Sequence, residues 1–468
     1  MAYRTLNPST GIVEAGFPTL SDDETMAALA QAEHCFREDW SRRSIADRAA
    51  IMARASQLMT AEIDRLAQLS VREVGKLYTH ALGELQLAAA ILAYYAQEAA
   101  DMLAPRPVRG YDGATVHTLP LGVLLAVEPW NFPFYQIARV AGPQLMAGNV
   151  LMVKHASNVP QCAAAIADIF RRAGAPAGVY TNLYASTGQV AMLIDDDRVR
   201  GVTLTGSEGA GASVAMRAAA KLKKSVLELG GSDPMIVLDD APVAATVANA
   251  VAGRMNNTGQ SCVATKRMIV VGRERGALFL NEMIDALGAL QPGDPMDPAT
   301  MLGPVSSEKA LNDLLDQIGR ARIAGAQIAL GGNRIDRPGF YLQPTILTGV
   351  DRDNPVYSEE IFGPVLAYHV VDTEEEALAI ANDVRLGLGS AVFTGDPDRG
   401  AALALRIEAG MTFVNHPTWS APQLPFGGIK ASGYGRELGE PGIGEFVNRK
   451  LVAVSPAGSP PFGAERAG

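Results

Sequence analysis

"GVLLAVEPWNFPFYQIARVAGPQLMAGNVLMVK", residues 122–154, sets the architecture. It opens on a short apolar run, "GVLLAV", passes a Pro- and Trp-containing turn, continues in the helical stretch "FYQIARVAGPQLMAG" and closes on a second apolar run, "NVLMVK". Two short buried strands joined through a helix imply a crossover, and repeated crossovers build a parallel sheet. The alternation goes on with a helix from about Pro160, then "GVYTNLY" and "GVTLT". After Glu228 a second series begins with "PMIVL" and the helix "APVAATVANAVAGRM", which sets Val243, Val247 and Val251 on one face. "RMIVV", "AYHVV", "SAVFT" and "GMTFV" follow. The fold class is α/β with two parallel-sheet units.

Around this centre, residues 21–103 read as a run of amphipathic helices and "PVRGYDGATVHTLP" (107–120) as a hairpin able to project from the body. The Pro-, Gly- and Ala-rich end, 455–468, reads as frayed. A chain of 468 residues fits two or three packed units, and 48% apolar with 19% charged residues is the balance of a globular enzyme. The net charge of −10 opposes nucleic acid and anionic membranes as partners. Cys35, Cys162 and Cys262 are odd in number and widely spaced, so they offer neither a disulfide framework nor CxxC metal spacing. No metal is expected. With no basic-then-apolar leader and no run of about 18 apolar residues, the expected location is the cytoplasm.

Five stretches carry candidate chemistry. In "NNTGQSCVAT" (256–265) Cys262 is flanked by Gly259, Gln260 and Ser261, a setting of close backbone approach and free N–H groups that favours a thiolate; the alternative is a small buried hydrophobe. "LELGG" (227–231) ends an apolar strand on Glu228, whose carboxyl would be raised towards neutrality in an apolar cleft and could take a proton from water, or could be an exposed strand end. Asn131 of "EPWNFP" can aim an amide at an oxyanion or cap a helix. "VTLTGSEGAG" (202–211) is a strand, a Gly-Ser turn and a helix start that suits a pyrophosphate, although it lacks the full GxGxxG pattern. "EEIFGPV" (359–365) sets a carboxylate two residues before an aromatic, for a ribose and a flat ring, or is another strand end.

Taken together, PWNFP, TGS, ELGG, NTGQSC and EEIFGPV stand in the order and spacing of the aldehyde dehydrogenase superfamily, which the chain resembles from "NPSTG" to "PFGGIKASGYGRE". The resemblance is nearest to the bacterial succinate-semialdehyde dehydrogenases. It implies Cys262 as nucleophile, Asn131 with the Cys262 N–H as oxyanion donors, and Glu228 as the base that activates water. It places Trp130, Gly206 and Ser207 by the cofactor pyrophosphate, Leu229, Glu360 and Phe362 by the nicotinamide ribose and ring, and Lys154 by the adenosine ribose. NAD-selective members carry glutamate where this chain has Ser157, so NADP is expected to serve at least as well as NAD.

Arg139 matches an arginine that grips the substrate carboxylate, assisted by Ser420, or else it is spent in a salt bridge. A second arginine of many relatives is Asn256 here, so the anion grip is weaker and other aliphatic, aromatic or glutarate-type aldehydes stay open, with Tyr135, Trp419 and Phe426 near the mouth. A second cysteine of some relatives is Ala264, which removes a local disulfide switch. Glu228 argues against CoA acylation and, with Cys262 and Asn131, against a silent binding protein.

The resemblance implies two Rossmann-type domains and a small β oligomerisation arm: 1–106 and 122–227 for the cofactor, with 416–447 packing back on it; 228–415 for catalysis; 107–121 and 448–457 for the arm; and 458–468 as flexible tail. A homodimer or homotetramer is implied.

Overall fold

The computed structural model describes residues 3–459; of the tail expected at 458–468, residues from 460 on lie outside the described residues. The quoted stretch forms the strand Val123–Glu128, the helix Tyr135–Ala147 and the strand Val150–His155, with the two strands parallel neighbours. They sit in a six-stranded sheet whose spatial order is Gly433–Tyr434, Lys224–Glu228, Val199–Thr205, Val123–Glu128, Val150–His155, Tyr180–Asn182. All pair in parallel except Gly433–Tyr434, which returns from late in the chain and runs antiparallel beside Lys224–Glu228. The chain leaves Val123–Glu128 in one direction across the sheet and later resumes on its other side at Val199–Thr205, so a crevice opens at the carboxyl ends of these two strands. The turns that carry Asn131 and Ser207 leave from there.

The second sheet has seven strands, in the order Gln327–Leu330, Thr345–Thr348, Val365–Val371, Arg267–Val271, Pro234–Val237, Ala391–Phe393, Phe413–Val414. Only the edge strand Gln327–Leu330 is antiparallel. The mixed α/β architecture with two parallel sheets is thus present. Two strands, Gln327–Leu330 and Thr345–Thr348, escape sequence reading: one is half-exposed and the other only four residues long, so neither shows a clear period. The hairpin is real, pairing Arg106–Pro107 with Ala114–Pro120, and Val447–Ala453 adds to it as a third antiparallel strand.

Of the N-terminal helices, Asp22–Glu38 packs on the first sheet, while Ile45–Ala61, Ile63–Val74 and Tyr78–Met102 pack on the helices Tyr135–Ala147 and Pro160–Ala173 that flank it. Phe426, Leu438, Ile443 and Phe446 from late in the chain join the same core. The helix Tyr135–Ala147 is buried on every side and has no capping side chain of its own. Its first N–H groups are met from another helix: Glu84 Oε1 accepts from the amides of Phe134 (2.8 Å) and Tyr135 (3.1 Å). Glu84 is held in turn by Lys76, and both side chains are fully buried. A carboxylate at a helix N-terminus is favourable, but only its cation makes burial tolerable. Lys76→Met should therefore lower stability by about 3–5 kcal/mol in urea denaturation, and Lys76→Met with Glu84→Gln should recover part of that loss.

Candidate active site

The helix Val243–Met255 ends in a tight segment, Asn256–Gly259, in which Asn257 (φ 52°) and Thr258 (φ 55°) both adopt left-handed backbone. For a β-branched residue such as Thr258 that conformation is strained by about 1–3 kcal/mol, so the surroundings must enforce it. Two buried cations do so. Arg254 donates from Nη1 to the Thr265 carbonyl (3.0 Å) and from Nη2 to the Gly259 carbonyl (2.8 Å), with Gly363 O also in contact. Lys266 donates to the carbonyls of Ser261 (2.8 Å) and Cys262. Cys262 stands on the loop between them.

The thiol is shared by two cavities. One, of about 650 Å³, is lined by Phe132, Tyr135, Met255, Met301, Trp419 and Phe426 among others, and reaches Cys262, Arg139 and Ser420. The other, of about 200 Å³, is lined by Trp130, Asn131, Gly206, Ser207, Glu228, Leu229, Glu360 and Phe362, and again by Cys262. Sequence reading expects a thiolate here; instead burial pushes the Cys262 thiol up to about 11, against the pull of Arg139 and Lys266 and with the push of Glu360 and Asp233. The local glycines and hydroxyls do not outweigh loss of water.

Asn131 is not a helix cap. Gln136 Nε2 donates to Asn131 Oδ1 (2.8 Å), which fixes the amide so that Nδ2 is the outward donor, and one of its hydrogens goes to the Gln260 carbonyl (3.0 Å). The other is available to an oxyanion beside the thiol. Glu228 ends its strand fully buried, with neither carboxylate oxygen hydrogen-bonded among the described residues. Burial raises its pKa well above the ordinary carboxylate range, the neighbouring Glu437 adds to this, and Arg139 opposes it.

Arg139 lines the wide cavity but is not a bare cation. Its Nε lies 2.7 Å from Glu437 Oε2, Nη2 donates to Thr205 Oγ1 (3.2 Å), and the guanidinium packs over the rings of Phe426 (4.3 Å) and Tyr135 (4.9 Å). Nη1 makes no hydrogen bond among the described residues. Ser420 Oγ lies 2.5 Å from Tyr135 Oη. The other charges of this cavity are muted: Glu84 is paired with Lys76, and burial, then Lys76, lowers His80 to about 4, leaving it neutral. Asn256 faces the same cavity.

On the narrow side, Ser207 caps the helix Glu208–Ala220, so Gly206 and Ser207 stand at a helix N-terminus suited to phosphate. The rings of Trp130 and Phe362 meet edge-on at 5.9 Å. Glu360 comes close because Gly230 has no side chain: a Cβ there would fall 2.4 Å from Glu360 Oε2. Ser157 lies apart, in a groove with Arg4, Trp130, Ser306 and Ser307, and no carboxylate lines that groove. Lys154, on the strand Val150–His155, is shifted downward by burial and lies 5.9 Å from the Tyr3 ring. A helix N-terminus, the carboxylate of Glu360 in the narrow cavity, and a groove at Ser157 with no carboxylate among the described residues fit a phosphorylated dinucleotide. Gln136, Lys266, Glu437 and Arg254 were not singled out from sequence; an amide or charge within the apolar runs of their helices marks Gln136 and Arg254, and nothing local marks Lys266 and Glu437.

Residues 1–452 match the Aldehyde dehydrogenase family. The chain belongs to that family. This aldehyde dehydrogenase is 47% identical to the succinate-semialdehyde dehydrogenase (NADP+) of Deinococcus radiodurans, over 98% of this chain and 96% of that protein. It is 44% identical to succinate-semialdehyde dehydrogenase (NADP+) 1 of Mycobacterium tuberculosis, over 97% of this chain and all of that one. The crystal structure of succinic semialdehyde dehydrogenase from Streptococcus pyogenes in complex with NADP+ superposes with a TM-score of 0.95 at 42% identity, covering 97% of this chain and 100% of that one.

Because Glu228 is held protonated above the ordinary carboxylate range, release of the acyl group should speed up as pH rises through that elevated midpoint. Glu228→Gln should abolish this rise yet leave a stoichiometric burst of reduced cofactor, readable by stopped-flow absorbance. Asn131→Ala should lower kcat by about 10²–10³.

Proposed function

We propose that this chain oxidises succinic semialdehyde to succinate with NADP, and less well with NAD. The observation that carries the reading is Cys262 at the junction of the two cavities, with the fixed amide of Asn131 and the buried carboxyl of Glu228 on the narrow side. The names of the relatives supply the substrate and the cofactor.

The aldehyde enters the wide cavity, and Arg139 Nη1 with Ser420 holds its distal carboxylate. Once the Cys262 thiol has given its proton to solvent water, the sulfur bonds to the carbonyl carbon and the carbonyl electron pair moves onto oxygen, where Asn131 Nδ2 and the Cys262 N–H receive it. A nicotinamide held on the narrow side would supply a hydride acceptor, so that collapse of the oxyanion would leave a thioester on Cys262. Glu228 takes a proton from water, the water oxygen attacks the thioester, and the sulfur departs with the acid released. Glu360 would hold the nicotinamide ribose, with Leu229 and Phe362 against the ring. Gly206, Ser207 and Trp130 would hold the pyrophosphate, and Lys154 and Ser157 the phosphorylated adenosine ribose.

In this reading 1–106 and 122–227, with 416–447, hold the cofactor and 228–415 carries the chemistry. The arm strand Val447–Ala453 leaves Leu451 (60%) and, just beyond it, Val454 (71%) exposed, which favours a homodimer or homotetramer built through the arm. Three free cysteines favour a reducing, cytoplasmic setting. Among the described residues no helix is long and apolar enough to cross a membrane.

Two variants test the reading. Ser157→Glu should cut kcat/KM for NADP by about tenfold or more while leaving NAD little changed, because a carboxylate there repels a 2′-phosphate. Arg139→Ala should raise KM for succinic semialdehyde far more than for butanal; a wild-type preference for butanal that this variant leaves unaltered would overturn the substrate assignment.

A further inference from the structure

We propose that Lys266 is a positioning residue that joins the two halves of the site, one ammonium gripping both the nucleophile loop and the carboxylate that faces the cofactor. The inference rests on the reading of Cys262 as nucleophile and Glu360 as ribose ligand. Lys266 immediately precedes the strand Arg267–Val271 and is pinned on both sides of its own main chain: its N–H donates to Asp233 O (3.0 Å) and its carbonyl accepts from the Ala367 amide (2.9 Å). The reach of the side chain is therefore set by the sheet. That side chain is 1% exposed, and Nζ meets three oxygens: the carbonyls of Ser261 and Cys262, and Glu360 Oε1 at 3.1 Å.

An ammonium has three hydrogens and here has three acceptors, so a buried lysine with this set is saturated. Glu360 Oε1 also accepts from the Gly231 amide (3.2 Å), which leaves Oε2 as the oxygen available to hydroxyl donors in the cleft. Without the lysine, Glu360 would lose its cation, and the two loop carbonyls would lose a charged donor next to the sulfur.

Electrostatics works in the same direction. The groups facing Cys262 are Arg139 and Tyr135 from the helix Tyr135–Ala147, Lys266 from the strand entrance, and the acids Glu360, Asp233 and Glu228. Arg139 is engaged with Glu437, so Lys266 is the cation tied directly to the nucleophile's own backbone. Any donor that draws on Glu360 loosens that acid's hold on the ammonium and leaves more of its charge to the thiol. Cofactor placement and sulfur acidity are thus linked through one atom.

The test uses the full-length enzyme. Alkylation of Cys262 by iodoacetamide at pH 8, followed by mass spectrometry without cofactor, should slow about tenfold in Lys266→Met, one unit of thiol acidity. Lys266→Gln keeps a donor for the carbonyls but not the charge; it should slow equally and carries the test if methionine prevents folding. In steady state, the variant that folds should raise KM for NADP about as much as Glu360→Gln, and combining the two should add nothing further. Alkylation at the wild-type rate or faster in both variants, or a KM effect that persists in the Glu360→Gln background, would overturn the coupling. Activity that survives alkylation of Cys262 in the unaltered enzyme is a different signature: it would remove the nucleophile assignment, and the coupling with it.

Discussion

Main-chain carbonyls that have no strand to pair with must still be satisfied, and the nucleophile loop meets this demand with buried cations. Between the helix Val243–Met255 and the strand Arg267–Val271 the backbone passes through two left-handed residues and turns its carbonyls inward. Arg254 and Lys266, one at each end of the loop, donate to four of those carbonyls: Gly259, Ser261, Cys262 and Thr265. A buried charge bonded to neutral carbonyls is costly in isolation, and burial lowers Arg254 to about 9, but the arrangement leaves a rigid loop with the sulfur at a fixed height between two sheets.

The acids around Arg139 form a second network with the opposite problem. Glu128, Glu228 and Glu437 are all buried and all shifted upward, chiefly by burial, while Arg139 is the cation that opposes the shift in each. A single guanidinium cannot keep three buried carboxyls ionised, so protons stay in the cluster. Glu228 consequently holds its proton more tightly than an ordinary carboxyl, and Arg139 both balances the acids and lines the wide cavity. Of the two roles that sequence reading sets against each other for Arg139, the salt bridge is the one the fold displays, with Glu437 as partner.

What the sequence makes legible is what strand ends dictate. Runs such as "GVLLAV" and "VLMV" are apolar throughout because both faces of a parallel sheet are covered, and residues at or just past the strand ends, Asn131, Ser207 and Glu228, fall at the crevice by connectivity alone. Residues whose role is defined by distant partners stay hidden. Glu437 acquires meaning only when Gly433–Tyr434 pairs beside Glu228, and Glu84 only when its helix reaches the amides of Phe134 and Tyr135. The acidity of Cys262 is misjudged for the same reason: neighbours in sequence suggest hydrogen-bond donors, while the dehydration that dominates comes from packing assembled across the whole chain.

Cys262 forms part of the partition between a broad aromatic chamber and a narrow one, with Gln136 as the other shared wall. Traffic on one side need not wait for traffic on the other. A dinucleotide held in the narrow chamber would leave the broad one open to a departing carboxylic acid, and the two would then part at their own off-rates instead of through a common exit.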